Sequence, residues 1–210
     1  MNPGQRLITD AARLGVTLTT ADAERMDTLL GELERWNRTY NLTAIVDRDE
    51  MVTHHILDSL AIHPDLAGTA IADVGTGAGF PGLPLAIVNP DRRFTLVDSN
   101  GKKVRFVSHA ARTLGLANVD AIHARVESLE PEQPFDTVLT RAFAPLPEML
   151  ALVEPLTGPE TRVLAMKGKW PQDEVDALPA GWQVAESRDL KVPGLHEARC
   201  VIKVCRRPKD

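Results

Sequence analysis

Hydrophobic positions along the chain change their period near residue 70. Before that point they recur at helical spacing. After Asn2-Pro3, the residues Leu7, Ile8, Ala11 and Leu14 share one helix face, and Gly15 closes the segment. Thr20 caps a second helix on which Met26, Leu29, Leu30, Leu33, Trp36 and Tyr40 repeat. Asp47 caps a third, carrying Met51, Val52, His55, Ile56, Ser59 and Leu60. Residues 1–65 therefore read as a helical extension. It is too thin for a large core of its own and is expected to pack on the rest of the chain. Over residues 66–210, short apolar runs alternate with helical segments. Strands are expected at Ala70–Val74, Arg93–Asp98, Val119–His123, Phe135–Thr140, Arg162–Met166, Gln183–Lys191 and Arg199–Arg206. Helices are expected at Pro81–Val88, Lys102–Leu114, Leu146–Leu156 and Gln172–Leu178. Such alternation specifies an α/β domain built on a mainly parallel, doubly wound sheet. No helix separates the last two strands, so they should pair antiparallel at one edge.

The first strand runs into a glycine-rich stretch, A-I-A-D-V-G-T-G-A-G-F-P-G-L-P over Ala70–Pro84. Pro81 and Pro84 suit the first turn of a helix, where a missing N–H is harmless. Strand, glycine turn and helix start together let backbone approach a ligand closely. Two ligands are open. Gly77, Gly79 and Gly82 satisfy G-x-G-x-x-G, which suits a nicotinamide dinucleotide and an NAD(P)-dependent oxidoreductase. Against it, the strand ends at Val74, two residues early for that fingerprint, and Asp73 sits beside the turn. The form Asp73-Val-Gly75-Thr-Gly77-Ala-Gly79 looks like the first motif of S-adenosylmethionine-dependent methyltransferases. In those enzymes the turn wraps the methionine part of the cofactor. Asp98 ends the second strand about 20 positions after Gly77, the spacing of a carboxylate that bonds ribose hydroxyls.

The chain has 210 residues and is 43% hydrophobic, enough for one domain with a small appendage. Its formal charge of −5 excludes a generally basic nucleic-acid binder. An RNA partner would need a locally basic face. No apolar run approaches ~18 residues, and the N-terminus has no apolar leader core, so a cytoplasmic chain is expected. Cys200 and Cys205 are an odd number of positions apart on one predicted strand, on opposite faces, so they should not pair. No Cys/His cluster has metal spacing.

Several constellations carry candidate chemistry. In W-N-R-T-Y-N-L-T, Trp36–Thr43, aromatic, amide and guanidinium groups meet at a helix end. This reads either as a core Trp/Tyr pair with a capping amide or as an RNA surface. In the second reading Arg35 and Arg38 meet phosphates, and Asn37 and Asn41 line a pocket. His54 and Asp58 stand i, i+4 and should form a local ion pair. Lys102, Lys103 and Arg105 follow Asp98 at a helix start, on the strand-end side where ligands of such sheets bind. Val126-Glu127 follows the third strand. Arg141 ends the fourth, at the reacting edge, and Lys167-Gly168-Lys169 follows the fifth. Lys167 and Arg199 complete the candidate RNA face. No N-P-P-Y tetrad for an exocyclic amine is present, and no cysteine near Arg141 for attack through a ring carbon. Guanine N7 needs neither, because its lone pair lies in the ring plane and carries no proton.

Six motifs together resemble one family. They are W-N-x-x-Y-N-L-T, H-x-x-D-S-L (His55–Leu60), D-V-G-T-G-A-G-F-P-G-L-P, K-x-R-F (Lys103–Phe106), T-R-A-F-A-P-L and M-K-G (Met166–Gly168). They look like the bacterial rRNA small-subunit methyltransferase G family, also called GidB. The resemblance implies a class I Rossmann-like methyltransferase, with a seven-stranded sheet and one reversed strand. It implies S-adenosyl-L-methionine as cofactor and N7 of a guanine in 16S rRNA as acceptor, on the small ribosomal subunit or an assembly intermediate. By motif position, Asp73, Gly75, Gly77, Phe80, Asp98, Val126, Glu127 and Arg141 would serve the cofactor. No catalytic acid, base or metal is required, and Arg141 would orient cofactor or base. A monomer is expected. The rivals are the oxidoreductase and a non-catalytic RNA-binding or assembly factor.

Overall fold

A computed structural model describes residues 2–208. Seven strands form one sheet in the order β3-β2-β1-β4-β5-β7-β6. They are β1 (Ala70–Val74), β2 (Arg93–Asp98), β3 (Val119–His123), β4 (Thr137–Arg141), β5 (Arg162–Lys167), β6 (Trp182–Asp189) and β7 (Cys200–Arg206). The first five are parallel, while β7 runs antiparallel to both β5 and β6. The expected fold class and the antiparallel edge pair are both present. The order reverses between β1 and β4, so the carboxyl ends of β1 and β2 open a crevice at a topological switch point.

The strands alternate their contacts between two apolar layers. Ile71 faces one and Ala72 and Val74 the other. On the first face pack α5 (Gly82–Val88) and α6 (Gly101–Thr113), with the N-terminal helices α1 (Pro3–Arg13) and α2 (Thr20–Tyr40) outside them. Met26, Leu29, Leu30 and Leu33 of α2 are almost fully buried in the same cluster as Phe94 and Phe106. The second face is covered by α7 (Leu146–Val153), through Leu146, Met149, Leu150 and Val153, with α8 (Gln172–Asp176) beside it. Cys200 and Cys205 are both free thiols.

Boundaries moved where side chains compete with the backbone. Thr19, not Thr20, caps α2, in a reciprocal pair with Asp22. β4 starts at Thr137 because the Asp136 carboxylate accepts the amides of Thr69 and Ala70. α7 tightens to a 3₁₀ turn at Glu154–Leu156, where Pro155 has no N–H to continue it. The third N-terminal helix is not uniform. α3 (Arg48–Met51) passes into a π-helical stretch, Val52–Leu57, and ends as α4 (Asp58–Leu60). The expected His54–Asp58 ion pair is absent among the described residues.

Candidate active site

The site is built on the turn after β1. Gly75, Gly77 and Gly79 all have positive φ, at 68°, 62° and 89°. Side chains rarely take up such angles, and this lets three glycines reverse the chain within five residues. The amides of that turn are engaged within the protein. Those of Gly75 and Thr76 donate to the Val97 carbonyl at 2.9 and 3.1 Å, and that of Gly77 donates to Asp98 Oδ2 at 2.8 Å. The amide of Gly82, first residue of α5, donates to Asp73 Oδ2 at 2.8 Å, and the Thr76 hydroxyl to the same oxygen at 2.6 Å. Asp73 is fully buried, and its Oδ1 has no hydrogen-bond partner among the described residues. Burial pushes its pKa up from 3.8 to about 6, against the pull of those two donors. Asp73 therefore locks the turn to the helix start and does not line the cavity.

A cavity of about 450 Å³ lies over the ends of β1, β2 and β3. Gly75, Asp98, Lys103, Val126, Glu127 and Phe143 are among its walls. Asp98 is half-buried, its Oδ1 accepting the Asn100 amide at 2.8 Å. Val126 is an apolar floor beside the exposed Glu127. Phe143, in the loop after β4, crosses Gly75 so closely that a Cβ there would clash with its ring. Ala142 enters that loop at φ 50°. A pyrophosphate needs free amides at a turn and a helix start, and here they are already bonded. Two carboxylates and an apolar floor fit a nucleoside with a cationic centre instead, which is the shape of S-adenosyl-L-methionine.

Other predicted residues are placed differently. Phe80 is buried and does not line the cavity; its ring stacks on His55 with centroids 4.6 Å apart. His55 bonds the Thr43 hydroxyl at 3.0 Å. Burial, with Arg141 and His54 nearby, lowers its pKa to about 4, so its ring is neutral at pH 7. Arg141 turns away from the cavity toward the π-helical stretch, donating to the His54 carbonyl at 3.0 Å and to Asp58 Oδ2 at 3.1 Å. Arg199 pairs with the other oxygen of Asp58 at 3.5 Å. Lys167 donates to the Ala144 carbonyl and to Glu174, so it is a strut under the β4 loop rather than a free cation. Asn37 uses both ends of its amide on the Thr43 backbone. Arg35 is exposed but pairs with Glu32, whereas Arg38, Asn41 and Lys102 are exposed. Sequence reasoning missed Ser99, Arg125, Phe143 and Leu152 as cavity walls. Only Phe143 had a signal, inside the quoted T-R-A-F-A-P-L.

Solved structures with the same fold are methyltransferases. A SAM-dependent methyltransferase from Aquifex aeolicus superposes with a TM-score of 0.55 at 18% identity, over 76% of this chain and 94% of that one. One from Thiobacillus denitrificans, in complex with S-adenosyl-L-homocysteine, gives 0.51 at 14%, over 72% and 91%. These likenesses show a fold shared with S-adenosylmethionine-dependent methyltransferases. Sequence narrows the class. A relative from Marinobacter nauticus named ribosomal RNA small subunit methyltransferase G is 45% identical over 97% of this chain and 95% of its own length. Another of that name, from Ectopseudomonas mendocina, is 46% identical over 93% and 92%. The profile of the family described as rRNA small subunit methyltransferase G matches residues 22–202, and this chain belongs to that family.

Proposed function

We propose that the chain transfers a methyl group from S-adenosyl-L-methionine to N7 of a guanine in 16S rRNA, on the small ribosomal subunit or an assembly intermediate. The carrying observation is the cavity over β1–β3, where turn amides are engaged and two carboxylates face a nucleoside-sized space. Membership of the family supports the substrate. The cofactor supplies a methyl group already activated on a sulfonium. The chain supplies placement. Asp98 is positioned to accept ribose hydroxyls. Val126 offers an apolar seat for the adenine, with Glu127 at its edge. Gly75 and Gly77 allow close backbone approach. N7 carries no proton, so no general base is assigned. Alignment at ~3–3.5 Å supplies ~7–11 kcal/mol in favourable intramolecular systems. Residues 1–65 then form an extension beside the transfer domain of residues 66–210. We place the reaction in the cytoplasm, with the chain acting as a monomer. No described helix is long and apolar enough to cross a membrane.

Small-subunit RNA carrying 7-deazaguanine at the target tests the acceptor atom. It keeps the Watson–Crick edge but replaces the nucleophile with C–H. Binding without uptake of labelled methyl is expected. Methylation at the normal rate overturns N7.

A further inference from the structure

Cations near the cavity fall into two groups. On the β4, β5 and β7 side, Arg141, Lys167 and Arg199 each stand at ion-pair distance from a carboxylate of this chain, and Lys169 is exposed without one among the described residues. On the α6 side, Lys102, Lys103, Arg105 and Arg112 have no carboxylate at ion-pair distance among the described residues. Lys103 lines the cavity itself, and Lys102, Arg105 and Arg112 border a surface groove of about 1070 Å³ between α6 and the end of α2, walled also by Trp36, His109 and His123. No carboxylate lines it, in a chain with 29 acidic residues against 24 lysines and arginines. Glu32, beside it, is bonded by Arg35 and His109.

Positions 102, 105, 109 and 112 step by three or four, so they form one stripe along α6. At 1.5 Å per residue the stripe is about 15 Å long, enough to follow several phosphates of one strand. Ser99 walls both this groove and the cofactor cavity, so the two adjoin. Beside the middle of the stripe the Trp36 ring contacts Tyr40, Phe106 and His109, with centroids 5.3, 5.7 and 5.0 Å away. A fixed, partly exposed aromatic beside a line of cations is the arrangement that stacks a base while its backbone is held.

We propose that the α6 groove is an RNA track. It holds the sugar-phosphate backbone of the rRNA segment flanking the acceptor base, with Trp36 as a stacking platform beside the middle of the stripe. The proposal rests on the rRNA reading above and adds the direction of approach. RNA reaches the cavity over α6, not over β5 and β7, where Arg141, Lys167 and Arg199 are already paired.

The test uses the full chain with Arg105→Glu and Arg112→Glu together. A second variant reverses Arg25 and Arg93, which line a groove near the start of β2. Anisotropy against a labelled 16S fragment containing the target loop reads RNA affinity at several salt concentrations. Calorimetry reads cofactor affinity. The α6 variant should bind RNA at least tenfold more weakly, with cofactor affinity unchanged and the Arg25/Arg93 variant like wild type. The neutral pair Arg105→Gln and Arg112→Gln should flatten the log K against log salt slope by roughly 0.7 for each phosphate no longer neutralised. Wild-type RNA affinity and slope in the α6 variants would overturn the track and leave the function standing. Wild-type protein that neither binds nor methylates the RNA would overturn the function and the track with it.

Discussion

The ends of β1 and β2 carry the same side chain at neighbouring positions of one sheet, yet the two carboxylates do opposite work. Asp73 is sealed under α5, holds the turn through one oxygen, and has its pKa raised by burial. Asp98 stands half-open at the cavity wall, taking one backbone amide on each oxygen. Each of its oxygens keeps a lone pair for a ligand. Spacing alone cannot separate these roles. What separates them is which strand end the next helix covers.

Removing Asp73 should have the largest effect. Asp73→Ala leaves the Gly82 amide and the Thr76 hydroxyl without their buried acceptor, at ~1–3 kcal/mol for each such group. With ~2–4 °C per kcal/mol for a chain of this size, the melting midpoint should fall by roughly 5–20 °C. An unchanged midpoint would remove the lock from the account. Asp98→Ala should divide the effects the other way. Calorimetry should show cofactor affinity falling by roughly 10–100-fold, the equivalent of ~1.5–3 kcal/mol for a charged hydrogen bond. Its melting midpoint should move less than that of Asp73→Ala.

A smaller effect distinguishes the two turn glycines. Both Gly75→Ala and Gly77→Ala incur ~1–2 kcal/mol for a left-handed residue. Only at Gly75 would the new methyl meet Phe143, since nothing lies within 4 Å of it at Gly77. Gly75→Ala should therefore be the less stable in denaturant. Equal midpoints would show that Phe143 moves aside freely.

The smallest effect is a pH dependence with a definite sign. The folded pKa of Asp73, about 6, lies above its ordinary 3.8. The proton it holds stabilises the fold fully below pH 3.8, and that contribution is lost as pH rises through about 6. Asp73→Asn keeps an acceptor oxygen and cannot ionise. The stability of wild type relative to Asp73→Asn should thus decline between about pH 4 and 7. A flat difference across that range would mean that Asp73 titrates normally.

The parts of this molecule legible in its sequence are those set by local chemistry. Short apolar runs bounded by glycine and proline mark β1 to β5. Left-handed glycines mark the turn, and the missing helix marks the reversed β7. What stayed hidden depends on partners far away in the chain. Asp58 meets Arg141 and Arg199, 83 and 141 positions on, and no pattern of periods predicts that. Lys167 looked free until Glu174 folded against it from α8. The buried state of Asp73 required α5 to close over it. The π-helical stretch was invisible because His55, Ile56, Ser59 and Leu60 recur every three or four positions, as they would on an ordinary α-helix.

That π-helical stretch makes residue count a functional variable. An i→i+5 ladder accommodates an extra residue within its turn, and everything after it is set back in phase by about 100°, the rotation one residue makes in an α-helix. Asp58 follows the stretch, and its position under Arg141 and Arg199 depends on that offset. Excising Thr53 and relaxing the segment to an ordinary helix would leave Asp58 in phase, whereas straightening the stretch to an α-helix at full length would swing Asp58 by about 100°, away from both guanidiniums. In this segment length and helical repeat carry information together: a one-residue deletion matched by the ordinary repeat leaves the phase intact, whereas losing the π turn at full length would disconnect these helices from the carboxyl ends of β4 and β7.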